Sequence, residues 1–165
     1  MTEANVLETP EGLKYFAPQR GLAWLGLLQA HAELTRSLDA ELQAAHGVSL
    51  SAYEMLSRLA LCPSGYMRMS DLATATSLSL SRVSRLVDQM EERGLVSRRS
   101  CDTDSRIVYA AIGDGGRDLV RNAQETFFSV VDERFFGRLS CAEVEQLGSL
   151  LERLVEQRAD SCGAA

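Results

Sequence analysis

The chain has 165 residues, enough for one domain with a real core, and its 17 basic against 23 acidic residues give a formal charge of −6 and a pI near 5.0. That balance excludes a function resting on a broad basic surface, while the acidic N-terminus and the lack of a long apolar run predict a cytoplasmic protein with neither leader nor membrane span. Four scattered cysteines (62, 101, 141 and 162), without CxxC or His-paired spacing, argue against a zinc site and against a secreted disulfide framework.

Residues 1 to about 19 read as a loosely held arm containing two of the three prolines. From Arg20 to about His46 the pattern is helical, with Trp24, Leu27, Leu28, His31, Leu34, Leu38 and Leu42 on one broad face and Gly47 placed to stop it. Ser51-Ala-Tyr-Glu54 has the form of a capping box and predicts a helix to about Leu61, which the Cys62–Gly65 stretch ends. Residues 66–69 can make a short strand. Ser70 and Ser79 are expected N-caps for the next two helices.

The second of these helices is the informative one. Val83, Leu86, Val87 and Met90 recur at i, i+3, i+4, i+7 and so form one apolar stripe. Ser81, Arg82, Ser84 and Arg85 lie between them on the outward face. A helix that enters the DNA major groove needs this pairing of an anchoring stripe with a short-polar and arginine face.

Gly94 closes that helix. Leu95 to Arg99 and Arg106 to Ile112 read as two strands joined by a CDTDS turn. Helices are then expected at about 117–138 and 141–157, the last opened by a second capping box, Ser140 to Glu143, before a tail at 160–165.

Seven arginines and six acids fall between Arg68 and Arg106, so duplex DNA must be held by the geometry of a few arginines and not by a positive field. Arg98 and Arg99 are adjacent on a strand and face opposite ways: one is expected to meet DNA, the other to pair with an acid such as Asp102 or Asp104. Arg93 reads as a charge answering a helix C-terminus. The terminal helices, with Phe127, Phe128, Phe135 and Phe136, hold more apolar positions than a small lobe can cover, which predicts a homodimer. Its two reading helices would meet half-sites about 34–36 Å apart. No nucleophile elbow, phosphate-binding glycine loop or metal spacing suggests an enzyme, and no cofactor is expected.

SDLA, then SLSRVSRLVDQMEERGLV, then Asp104-Ser105-Arg106 together resemble the MarR family of dimeric winged-helix transcription regulators, from about Arg20 to Glu156. The resemblance implies a mainly α fold with a small β-wing. A winged helix-turn-helix lobe would occupy about 50–112, within one domain spanning 20–159. A helical dimerisation stem would come from both chain ends, and the usual function is repression relieved by a small ligand or by oxidation.

By the same resemblance Ser81, Arg82, Ser84 and Arg85 match major-groove positions. Arg106 matches a minor-groove arginine and Asp104 the carboxylate that orients it. Ser105 stands where the family often has Arg, and Gly113 where it often has Thr. The family's effector pocket, lined by the first, second and fifth helices, implies Trp24, His31 and Tyr53 as candidates for a planar, phenolic or anionic ligand. His31 can equally be a hydrogen-bonded core histidine. Cys62 reads as a small core residue, and no cysteine precedes it, so the family's N-terminal peroxide-sensing arrangement does not transfer. A cysteine-based redox regulator, or a winged helix serving protein–protein contact, are the other uses of such a domain.

Overall fold

The computed structural model describes residues 5–100 and 107–154. The chain divides into two compact units, residues 1–37 and 38–165. Helix α1 (Pro18–His46) begins in the first and ends in the second.

In the first unit, the expected loose arm is instead a hairpin of β1 (Val6–Glu8) and β2 (Lys14–Phe16), in antiparallel register Val6↔Phe16. Two local features close it. Gly12 takes a positive φ of 84°, and Thr9 is bonded to Leu13 through both backbone and hydroxyl. Pro18 opens α1, where its missing N–H is no loss. No described residue of this unit is buried.

The second unit contains the rest of α1, then α2 (Leu50–Leu61), β3 (Tyr66–Arg68), α3 (Met69–Thr76), α4 (Leu80–Glu92), β4 (Val96–Ser100), β5 (Val108–Ile112), α5 (Asp114–Arg134) and α6 (Cys141–Glu152), with a single 3₁₀ turn at Phe136–Arg138. The three strands form an antiparallel sheet in the order β3-β5-β4. The core is built from Leu42 of α1, Val48 of the connection to α2, Met55, Leu56 and Leu59 of α2, Leu72 of α3 and Val83 and Val87 of α4. This is a mainly helical fold with a small β-wing.

Several helix starts differ from the sequence reading. Helix α2 begins at Leu50, capped by Ser49, whose Oγ accepts the Ala52 N–H at 3.2 Å, and not at Ser51. The earlier start lets Val48 and Leu50 be buried, and Asp39 Oδ1 takes the otherwise orphaned Leu50 N–H at 2.8 Å. Ser70 is not an N-cap: it sits inside α3, exposed, with its hydroxyl on Asp71. Ser79 and the Ser140–Glu143 capping box are found as expected.

Helix α5 starts at Asp114, three residues before the expected Arg117, because its glycines are needed inside the helix. A Cβ on Gly116 would fall on the Leu95 carbonyl oxygen, so the first turn of α5 lies directly on the backbone that leaves α4. Gly113, in the place of a capping Thr, provides no side-chain cap. Cys62 is buried, as expected of a small core residue, and is disulfide-bonded, whereas Cys141 is free and exposed.

Candidate nucleic-acid interface

Helix α4 is held by one face. Val83, Leu86, Val87 and Met90 are all buried, and Ser79 caps its N-terminus by accepting the Arg82 N–H. The turn that delivers it from α3 passes through Ser77 at φ 56°, a left-handed residue whose neighbour Leu78 donates back to the Ala73 carbonyl.

The opposite face is open. Ser81, Arg82 and Arg85 are exposed, and Ser79 shares a 3.2 Å hydroxyl–hydroxyl contact with Ser81. The two arginines differ. Arg82 reaches back to the Ser51 hydroxyl at 3.3 Å, whereas Arg85 projects without a hydrogen bond or ion pair among the described residues. Ser84, expected on the outward face, is half-buried and turned toward the sheet.

What Ser84 meets is Arg98. The Arg98 guanidinium lies 2.7 Å from Asp88 and 2.7 Å from Glu91, and donates to the Ser84 carbonyl at 3.1 Å. Its own backbone N–H donates to the other Glu91 oxygen at 3.0 Å. These bonds, the backbone one first, hold the Glu91 carboxyl below its ordinary range. Of the adjacent pair, then, Arg98 is the one bound to acids, which among the described residues are Asp88 and Glu91 of α4; Asp102 lies outside the described residues.

Arg99 faces the other side of the sheet and is exposed. It sits across from Tyr109, which is flanked on its far side by Arg68, whose guanidinium lies 6.0 Å from the ring centroid. Arg93 donates to the Gly47 carbonyl at 3.0 Å, so the helix end it answers is that of α1. Asp104 and Arg106 lie outside the described residues.

A cleft of about 710 Å³ opens on the other side of the reading helices, between α2, the end of α3 and α5. Tyr53 and Phe127 stack within it at 5.1 Å. Burial pushes the Tyr53 phenol above its usual range, and the neighbouring Ser57 hydroxyl pulls weakly the other way. Ser57 Oγ is itself buried and lacks a hydrogen bond of good geometry.

Arg58, Arg117 and Arg121 bring positive charge to the cleft, against Glu54. Tyr53 lines this cleft. Trp24 and His31 belong to the first unit, where both are exposed, so His31 is not the core histidine that its apolar neighbours suggested. His46, in the last turn of α1, shares a 2.8 Å hydrogen bond with Thr126 of α5.

Residues 46–107 match the family model described as the MarR family. A transcriptional regulatory relative from Thauera aromatica, named for an hcr operon, is 31% identical over 115 residues, 70% of this chain and 68% of its own. Among solved structures, AbsC of Streptomyces coelicolor, a MarR family transcriptional regulator, superposes with a TM-score of 0.80 at 30% identity over 86% of this chain and 95% of that one. The chain belongs to the MarR family.

Sco3205 of the same organism, another MarR regulator and one solved in complex with DNA, gives a TM-score of 0.82 at 28% identity, over 89% of this chain and 97% of its own. The protein is accordingly a DNA-binding transcriptional regulator of MarR type, and its relatives are regulators, not enzymes. Among the described residues no helix is long and apolar enough to cross a membrane, and no cluster of three or more metal-ligating side chains occurs.

Proposed function

We propose that this MarR protein is a homodimeric repressor that reads an inverted-repeat operator and is released by a planar aromatic anion. The observation that carries the DNA half is the two-faced α4: every residue of its apolar stripe is buried, leaving Ser81, Arg82 and Arg85 as the groove-facing set. Arg85, uncommitted, is the base reader. Arg82 and Arg99 grip phosphate with Arg106, which Asp104 orients, and Ser70 and Ser79 stand at helix starts beside the backbone. With a net acidic chain, these few contacts supply most of the attraction.

The effector half rests on the cleft. Its stacked aromatic wall, arginines and unsatisfied Ser57 hydroxyl suit a flat ring bearing a carboxylate or phenolate. Ala75, Thr76 and Ser77 also line it, so a ligand there presses on the turn that aims α4. Binding that favours a tilted α4 lowers DNA affinity by linkage.

Selection of bound duplexes from a random library tests the reading. An inverted repeat with half-site centres about one helical turn apart is the expected product. Simple aromatic carboxylates should raise the melting temperature and weaken operator binding together, and Tyr53→Ala should blunt both. Selection of an asymmetric site would defeat the dimeric reading. Release by mild peroxide but by no aromatic anion would favour a cysteine-based switch.

A further inference from the structure

Arg98 gathers three residues of the recognition helix at once. Ser84, Asp88 and Glu91 stand at i, i+4 and i+7 on α4, a polar stripe beside the buried apolar one. Arg98 spans it: Nη2 reaches Asp88 and the Ser84 carbonyl, while Nη1 and the backbone N–H take the two oxygens of Glu91. On the sheet Arg98 pairs with Ala110, which is fully buried, so its side chain leaves β4 on the face toward the core. Two carboxylates against one guanidinium leave the cluster net negative, and a phosphate finds no attraction there.

We propose that Arg98 is a positioning residue for DNA recognition, a latch that fixes the β4–β5 hairpin to the recognition helix without touching DNA. This rests on the DNA-binding role of the fold. A winged helix meets two grooves together, so the angle between helix and hairpin must be fixed to within a fraction of an ångström for both to dock. The ion pairs are partly exposed, with 27% of the Arg98 side chain accessible, and such pairs add little to global stability. The latch therefore acts on recognition more than on melting.

The test uses the whole protein as wild type, Arg98→Ala, Arg98→Lys and the double variant Asp88→Asn/Glu91→Gln. Affinity for the selected operator and for a random duplex is followed over a salt series, and amide exchange of Val96–Ser100 is followed without DNA. Arg98→Ala should lower operator preference over random duplex by about ten-fold, the size of one mismatched base pair, with an unchanged salt slope. Exchange along β4 should quicken.

The double variant should lose the same preference even as its lost negative charge tightens random-duplex binding. Arg98→Lys should resemble Arg98→Ala, because an ammonium cannot fork across Asp88, Glu91 and a carbonyl. A salt slope flatter by about 0.9 per subunit in Arg98→Ala would instead make Arg98 a phosphate ligand. Full operator preference in Arg98→Lys or in the double variant overturns the latch, and so does unchanged exchange. If the wild type selects no duplex, the DNA-binding reading fails on its own, and the exchange measurement still decides the latch.

Discussion

The N-terminal half of α1 and the recognition helix α4 both carry apolar faces, and they do opposite things with them. In α4 the whole apolar stripe is inside. In α1 the run Leu22, Trp24, Leu25, Leu27 and Leu28 is exposed, Leu22 at 76%, together with Tyr15 and Phe16 of the preceding hairpin. A two-stranded hairpin is marginal alone, and a unit without a buried residue has no core with which to hold itself. The contrast separates a lobe that is complete within one chain from a surface that the proposed dimer would cover. It also explains why an acidic protein can still bind DNA: the reading lobe spends none of its outward face on packing.

The largest effect should come from charging the two faces in turn. Val87→Asp places a carboxylate in the core and should remove on the order of 4 kcal/mol or more, read as loss of the urea unfolding transition. Leu25→Asp should leave helical content intact by circular dichroism yet move the protein from dimer to monomer in sedimentation and weaken operator binding. Comparable unfolding by Leu25→Asp would show that the N-terminal half of α1 belongs to the same core and erase the contrast.

Next in size is the division of labour within the reading lobe. Arg85→Ala should cost about 1–3 kcal/mol at one base pair of each half-site and admit other bases there. Arg106→Ala should weaken all sequences alike and flatten the salt dependence by about 0.9 for each phosphate it no longer neutralises. Unaltered base preference in Arg85→Ala would pass the reading role to Arg82.

Two glycines then sharpen the comparison between a closed seam and an open surface. Gly116→Ala drives a methyl into the Leu95 carbonyl and should destabilise by about 1–3 kcal/mol in chemical denaturation. Gly148→Ala, in α6 with nothing within 4 Å of the added methyl, should stabilise by up to about 1 kcal/mol. A neutral Gly116→Ala would mean that the seam gives way.

The smallest effect concerns acid. The Ser140 backbone N–H, first, and its hydroxyl hold the Glu143 carboxyl below its ordinary range, as Arg98 holds Glu91. A carboxyl lowered in the folded state adds stability that is complete above its unfolded pKa and drains as pH falls through the lower folded value, below about pH 5. Glu143→Gln should therefore flatten the acid limb of a melting-temperature curve by lowering its neutral region, and leave the most acidic region unchanged. A uniform shift at every pH would refer the effect to packing.

Helix α4 was legible because its signal is local: a four-residue apolar period and a serine cap lie within one stretch of chain. The misplaced caps show the limit of the same signal. Ser49 and Ser51 both stand near the start of α2, and the choice between them was made by the burial of Val48 and Leu50 and by Asp39, eleven residues upstream of the N–H it serves. Arg98 lay between the two cases. Strand alternation set its direction relative to Arg99, but its partners came from a different element. The i, i+4, i+7 spacing of Ser84, Asp88 and Glu91 was a sign that could have found them. The cleft had no local signal, since Tyr53 and Phe127 meet only when α2 and α5 pack.

The seam at Gly116 has a mechanical meaning. Gly113 donates to the Leu95 carbonyl, Gly116 rests on that same oxygen, and Leu95 donates in turn to the Met90 carbonyl in the last turn of α4. Three segments are thus geared through the backbone of one residue, Leu95, which leaves little play. A tilt of α5 cannot be absorbed at its own beginning and is handed on to the exit of the recognition helix. A small rotation at the proposed dimer interface would then reach the DNA as a change of pitch.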